Sequence, residues 1–174
     1  MPYASCPTAI VNAPVEIVWA LLADSAGWGD VFDVRVNNVD PPGPAVAGQK
    51  IVGETGPRLF HLKLVFRVIE TDAERHRLVM DIKLPFGIAV REDLKCTPLD
   101  AGYCRVDYHC GFDFPKGWRG ASTRLLMSRE MNAGPVDSLS RLKHAAELRY
   151  TGQTNADRAK KGTGHDRSIP RTSG

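Results

Sequence analysis

Between Gln49 and Phe114 the apolar residues recur at every second position, and this alternation restricts the fold more than any other feature of the chain. A period of two puts successive side chains on opposite faces of an extended strand, so the pattern predicts strands with one dry and one wet face. Phe60, Leu62, Leu64, Phe66 and Val68 share a face, with His61, Lys63 and Arg67 opposite and Val65 among them. Leu78, Met80, Ile82 and Leu84 repeat the even set. Pro85-Phe86-Gly87 turns the chain, and Ile88, Val90, Leu94 and Cys96 resume it. A sheet that is dry on one side needs a cover.

Helices flank the strands at both ends, and the last of them supplies that cover. A short strand, Thr8 to Val11, leads into Asn12-Ala13-Pro14, a helix start with Asn suited to the N-cap and Pro tolerated in the first turn. Val15, Val18, Trp19 and Leu22 then follow at helical spacing. Ser25 to Phe32 reads as a second short helix holding Trp28, and Pro41 to Gly48 as a loop. A long helical region runs from about Trp118 to Tyr150, with a kink or break expected at Gly134-Pro135, where proline removes an amide donor. Beyond it Val136, Leu139, Leu142 and Ala146 form a stripe, with Arg141, Lys143 and Glu147 largely outside. The expected fold class is α+β in the order β-α-α-β6-α, a seven-stranded antiparallel sheet covered by the last helix.

The chain has 174 residues, 43% of them hydrophobic, which suits one domain with a real core, placed at residues 1–150. Its formal charge of +3 lies wholly in residues 151–174, where five Lys/Arg face two Asp. That segment is nearly free of large apolar residues and is expected to be a disordered basic tail. The domain itself is neutral, so no nucleic-acid partner is expected. No apolar run approaches the roughly 18 residues of a membrane span. The N-terminus shows no basic segment followed by an apolar one, so the expected location is the cytoplasm, where thiols stay reduced.

Three of the four cysteines cluster in REDLKCTPLDAGYCRVDYHC, Arg91 to Cys110. A hairpin with Asp100-Ala101-Gly102 as its loop sets Leu99 against Tyr103. It then pairs Cys96 with Val106, Leu94 with Tyr108, Glu92 with Cys110 and Val90 with Phe112, and on the wet face Lys95 with Asp107 and Asp93 with His109. Cys96, Cys104 and Cys110 thus fall on the apolar face and His109 on the other, which argues for buried structural thiols and against a metal site. No phosphate loop, dinucleotide fingerprint or nucleophile elbow is present, and no cofactor is expected.

Specific stretches go further. Ala13-Pro14-Val15-Glu16-Ile17-Val18-Trp19 with Asp24 and Trp28 after it, the hairpin Glu92-Asp93-Leu94 with Pro98-Leu99 and Gly102, and the ending Leu139, Leu142-Lys143, Ala146-Glu147 resemble the START-like SRPBCC superfamily over residues 8–150. That superfamily includes polyketide cyclases/dehydrases, lipid-transfer domains and plant hydrophobic-ligand binders. The resemblance implies a helix-grip fold, a curved sheet wrapped around the long helix with an internal cavity for a hydrophobic or amphipathic small molecule. Periodicity alone favours a solid core. The resemblance makes the dry face a cavity wall, with Phe60, Leu62, Leu64, Phe66, Met80, Ile82, Val90, Leu94, Tyr108, Cys110 and Phe112 as lining candidates and Trp28 as a cap at the entrance or a packing residue.

Glu92 and Tyr108 are the polar residues on that face. A buried carboxylate must be paired, hydrogen-bonded or protonated. Either Glu92 has a raised pKa and meets the polar end of a ligand, or it pairs with Arg124 or Arg129 of the last helix, or it reaches water at the sheet rim. Three functional readings follow: a carrier or sensor of an apolar ligand; a cyclase or dehydratase with Glu92 and Tyr108 as catalytic acid and base; or an interaction module working through the helix or the basic tail.

Overall fold

The computed structural model describes residues 3–56 and 62–162, with backbone alone at 3, 118, 119, 122, 123, 126–130, 132 and 157–162. Strands β1 (Tyr3–Ser5) and β2 (Thr8–Val11) precede helix α1 (Val15–Ala23) and a 3₁₀ turn at Ser25–Asp30. Six strands follow: β3 (Arg35–Asp40), β4 (Lys50–Thr55), β5 (Leu62–Asp72), β6 (Arg77–Lys83), β7 (Ala89–Asp100) and β8 (Tyr103–Asp113). Helix α2, Trp118–Gly162, closes the fold. The six strands form an antiparallel meander, and β1 and β2 both pair with β8.

The sheet therefore has eight strands where seven were expected. The extra one comes from Pro7, which has no amide hydrogen to offer the ladder. The two pieces keep one register on β8, Tyr3 opposite Phe112 and Thr8 opposite Asp107, so they are a single strand interrupted at Cys6-Pro7. Across the gap the Pro7 carbonyl accepts the Tyr108 amide at 3.0 Å.

The β7–β8 hairpin has the expected register from Ala89↔Asp113 to Pro98↔Cys104. Near the turn it shifts: Asp100 pairs with Tyr103 around Ala101-Gly102, and Leu99 is left as the irregularity. The wet-face residues lie opposite one another as expected but bond elsewhere. Asp93 accepts two hydrogen bonds from Arg77 at 2.9 and 2.7 Å, because a guanidinium fork matches a carboxylate better than an imidazole does. His109 turns its Nδ1 to Cys6 Sγ at 3.2 Å.

Helix α2 is assigned without a break through Pro135. Pro135 is buried, and Val136 is 48% exposed, so the inward stripe is Met131, Pro135, Leu139, Leu142 and Ala146 rather than one beginning at Val136. Past Leu142, Lys143 Nζ donates to the Ile10 carbonyl at 2.7 Å, and Glu147 Oε1 accepts from the Asn12 amide at 2.8 Å. These bonds tie α2 to the end of β2. Asn12 thus meets α2 instead of capping α1, whose N-cap position is Pro14.

The helix also outruns the expected boundary at Tyr150 and reaches Gly162. Residues 151–162 contain no proline and several good helix formers, which lets the helix propagate from a packed turn. Residues 163–174 lie outside the described residues. Among the described residues no helix is long and apolar enough to cross a membrane.

Candidate functional site

A cavity of about 780 Å³ lies between the sheet and α2. Its sheet wall is built from Leu64, Phe66, Ile82, Val90, Glu92, Tyr108, Cys110 and Phe112, with Phe32 and Val34 from the segment before β3 and Met131, Gly134, Pro135, Ser138 and Arg141 from α2. It reaches the surface past Leu62 and Phe86, which are 40% and 76% exposed. On the rim, Arg141 pairs with Asp33 at 3.3 Å.

The cavity stops along one line of the sheet, and the register shows where. Ile82, Val90 and Phe112 are neighbours across β6, β7 and β8, and all three line it. In the next row, Met80, Glu92 and Cys110, only the last two do. One row further, Leu78 and Leu94 are buried outside the cavity, and Tyr108 alone touches it. The even set that reads as one continuous face is therefore two regions, a solid core and an open chamber. Glu92 and Tyr108 stand at the boundary between them.

Of the residues expected to line a cavity, Met80 and Leu94 belong to the solid part, at 0% and 1% exposure. Trp28 is neither on the cavity surface nor at its entrance. It is fully buried, donates from Nε1 to the Leu22 carbonyl at 2.9 Å, and packs edge-on against Phe32 and Phe66 with ring centroids 5.6 and 5.8 Å away. Those two phenyl rings are part of the wall, so Trp28 backs it. Phe60 lies outside the described residues. The residues missed were those supplied by α2, by Leu84, Pro85, Phe86 and Ile88 around the turn, by the segment Phe32-Asp33-Val34, by Thr55-Gly56 and by Phe114.

Glu92 is 7% exposed. Cys110 Sγ lies 3.9 Å from its Oε1, and Oε2 has no hydrogen-bond partner. Burial pushes the carboxyl up to about 7, while the neighbouring Tyr108 hydroxyl and Cys110 thiol pull it the other way. No ion pair to it exists among the described residues, and Arg124, one of the two expected partners, is exposed; the side chain of Arg129 lies outside the described residues. Burial, reinforced by the neighbouring carboxyl, drives the Tyr108 hydroxyl well above its ordinary value and keeps it neutral. Burial likewise raises the thiols, to about 12 for Cys96 and about 11 for Cys104, and upward for Cys110. Such thiols are poor nucleophiles. No group of three His, Cys, Asp or Glu residues among the described residues has the arrangement of a metal site.

A curved antiparallel sheet gripping a long helix over a mostly apolar chamber, with a single carboxyl at its inner end, defines a helix-grip cavity protein. Residues 7–147 match the family model for polyketide cyclase / dehydrase and lipid transport, and the chain belongs to that family, within the START-like SRPBCC superfamily. Among solved structures it is similar to the Zhui aromatase/cyclase from Streptomyces sp. R1128, with a TM-score of 0.67 and 17% identity over 86% of this chain and 96% of that one. It is similar too to the di-domain aromatase/cyclase BexL of the BE-7585A biosynthetic pathway, at TM-score 0.66 and 18% identity over 84% of this chain and 47% of that one. A norcoclaurine synthase from Thalictrum flavum gives TM-score 0.65 and 11% identity over 87% and 97% of the two chains. At these identities the likeness is one of fold. No curated relative matches the chain by sequence.

Proposed function

We propose that the chamber binds an amphipathic small molecule, its apolar body against the sheet wall and its polar end at Glu92 and Tyr108, and that the protein serves as a carrier or sensor of that ligand. One observation carries this reading: an apolar cavity of about 780 Å³ that ends on a buried carboxyl oxygen with no partner. The volume falls within the roughly 300–1,000 Å³ of small-molecule sites, where apolar burial supplies affinity and a few polar groups fix orientation. Residues 1–150 form the ligand-binding unit in this reading, and none of the described residues after Tyr150 lines the chamber. Unpaired Cys6, Cys96, Cys104 and Cys110 suit a reducing compartment such as the cytoplasm.

Native mass spectrometry on gently purified protein, before and after solvent extraction, tests the proposal. A discrete added mass that extraction removes is the expected result. A bare chain that also fails to bind the neutral probe phenylnaphthylamine rules the proposal out.

A second reading is favoured by one feature, the carboxyl raised to about 7 beside a neutral phenol. Groups poised near the working pH serve acid–base chemistry, and two of the solved relatives are aromatase/cyclases. Glu92 protonated on one side of neutrality and ionised on the other has the right poise to shuttle a proton within a held chain.

Phe86 is the exposed part of the wall. It sits at φ 65°, ψ 15°, a left-handed conformation uncommon for an aromatic residue, and this holds its ring at the mouth. Phe86→Ala changes stability by no more than about 0.5 kcal/mol, since the ring is mostly solvated. It weakens phenylnaphthylamine binding about threefold or more by opening the mouth. Unchanged affinity in a fluorescence titration would mean the ring plays no part in retention.

A further inference from the structure

Resting on the cavity-binding reading, we infer that the polar end of the ligand is an amine, carried as a cation, and that the ligand class is that of hydrophobic amines. The charges lining the chamber are unequal. Asp33, Glu92 and Asp137 contribute carboxyls, and Arg141 is the one basic residue among the described lining residues. Arg141 is already paired with Asp33 at the rim, and Asp137 is exposed there as well. The remaining carboxyl, Glu92, lies at the inner end, 7% exposed, with Oε2 unpartnered.

A carboxylate in that position is strongly disfavoured unless a cation joins it, and none of the described residues supplies one. A protonated amine at the end of an apolar body supplies the cation and a charge-assisted hydrogen bond in one group. A neutral hydroxyl gains only an ordinary hydrogen bond, and an anionic end meets a chamber of its own sign. Asp137 at the mouth, in excess of the Asp33–Arg141 pair, favours the entry of a cation in the same sense.

This makes selectivity depend on pH in a defined direction. The groups that share the chamber with Glu92 are Tyr108 and Cys110 on β8, both held neutral; Met131 and Ser138 with Asp137 and Arg141 on α2; Ile82 on β6; and Asp33 before β3. No histidine lines it among the described residues. Ionisation of Glu92 therefore governs any change near neutrality, and amine binding strengthens as pH rises through it.

The test is displacement of phenylnaphthylamine by two ligands of one shape, naphthylmethylamine and naphthylmethanol. At about pH 8 the wild-type protein is expected to bind the amine about tenfold tighter than the alcohol, as a charge-assisted contact in place of a neutral one requires. The preference falls severalfold at about pH 5.5. Glu92→Gln removes it at both pH values, weakening the amine severalfold more than the alcohol. Equal affinities in the wild type, or a preference that survives Glu92→Gln, overturns the inference and leaves the cavity reading standing. If phenylnaphthylamine itself does not bind the wild type, the cavity reading fails, and this inference with it.

Discussion

Glu92→Gln is expected to stabilise the protein above about pH 8 and to change little below pH 4.5, with the difference opening between those limits. The folded carboxyl titrates at about 7, against an ordinary 4.5. Below 4.5 it is protonated in both folded and unfolded chains and costs nothing. As pH rises past 4.5 the unfolded chain releases its proton while the folded one retains it, so stability falls until the folded carboxyl also ionises near 7. Above that the deficit is constant, on the order of 3 kcal/mol. Glutamine keeps the volume and carries no charge, so it removes the deficit. For a chain of this size each kcal/mol moves Tm by about 2–4 °C, and thermal unfolding followed at several pH values reads the effect directly. A gain that is the same at every pH would mean that glutamine packs better and that the charge is irrelevant. A loss at every pH would mean that Glu92 has a partner stronger than the Tyr108 hydroxyl and the Cys110 thiol beside it. The same variant bears on the acid–base reading, which requires any turnover to vanish while apolar binding persists.

The sheet was legible because its information is local. Alternation along β5 to β8 assigned each side chain to a face, and the pairing of Lys95 with Asp107 and Cys96 with Val106 made the register self-consistent. Glu92 stood out for the same reason, as a charge at a dry position. What alternation does not carry is where a covering helix lies along the sheet. Leu94 and Val90 have the same parity and similar chemistry, yet one is core and the other cavity wall, because the distinction depends on what packs above each row.

Helix α2 shows a comparable gap. Gly134, Ser138 and Arg141 recur at helical spacing beside the apolar stripe and look onto the chamber, while their sequence reads as an ordinary polar flank. The small residues Gly134 and Ser138 next to a buried Pro135 were the available signal: they leave space where a core helix would fill it. Pro135 itself was misleading. Proline in a helix interior removes one hydrogen bond and suggests a break, yet here its apolar ring occupies the stripe position that the sequence pattern gives to Val136.

Trp28 separates support of the wall from contact with the ligand, and two substitutions distinguish the roles. Trp28→Ala empties the largest fully buried side chain in the described core and is expected to cost about 3–5 kcal/mol. That is a large share of the roughly 5–15 kcal/mol that holds a domain folded, so this variant reports on stability alone. Trp28→Phe is the informative one. It keeps an aromatic ring behind Phe32 and Phe66 but leaves the Leu22 carbonyl, one of the unpaired groups in the last turn of α1, without its donor. An orphaned buried carbonyl costs about 1–3 kcal/mol, so Tm should fall by several degrees. Phenylnaphthylamine affinity, measured well below the new Tm, should stay within about twofold, because the indole lies behind the wall and not on it. The opposite pattern, a large loss of affinity with Tm almost unchanged, would put Trp28 on the ligand and require the chamber to extend through the position of Phe32. The edge-on packing against both rings and the hydrogen bond to α1 argue for the first outcome: the indole fixes the wall's shape from the solid side, and the chamber keeps its volume because that side cannot yield.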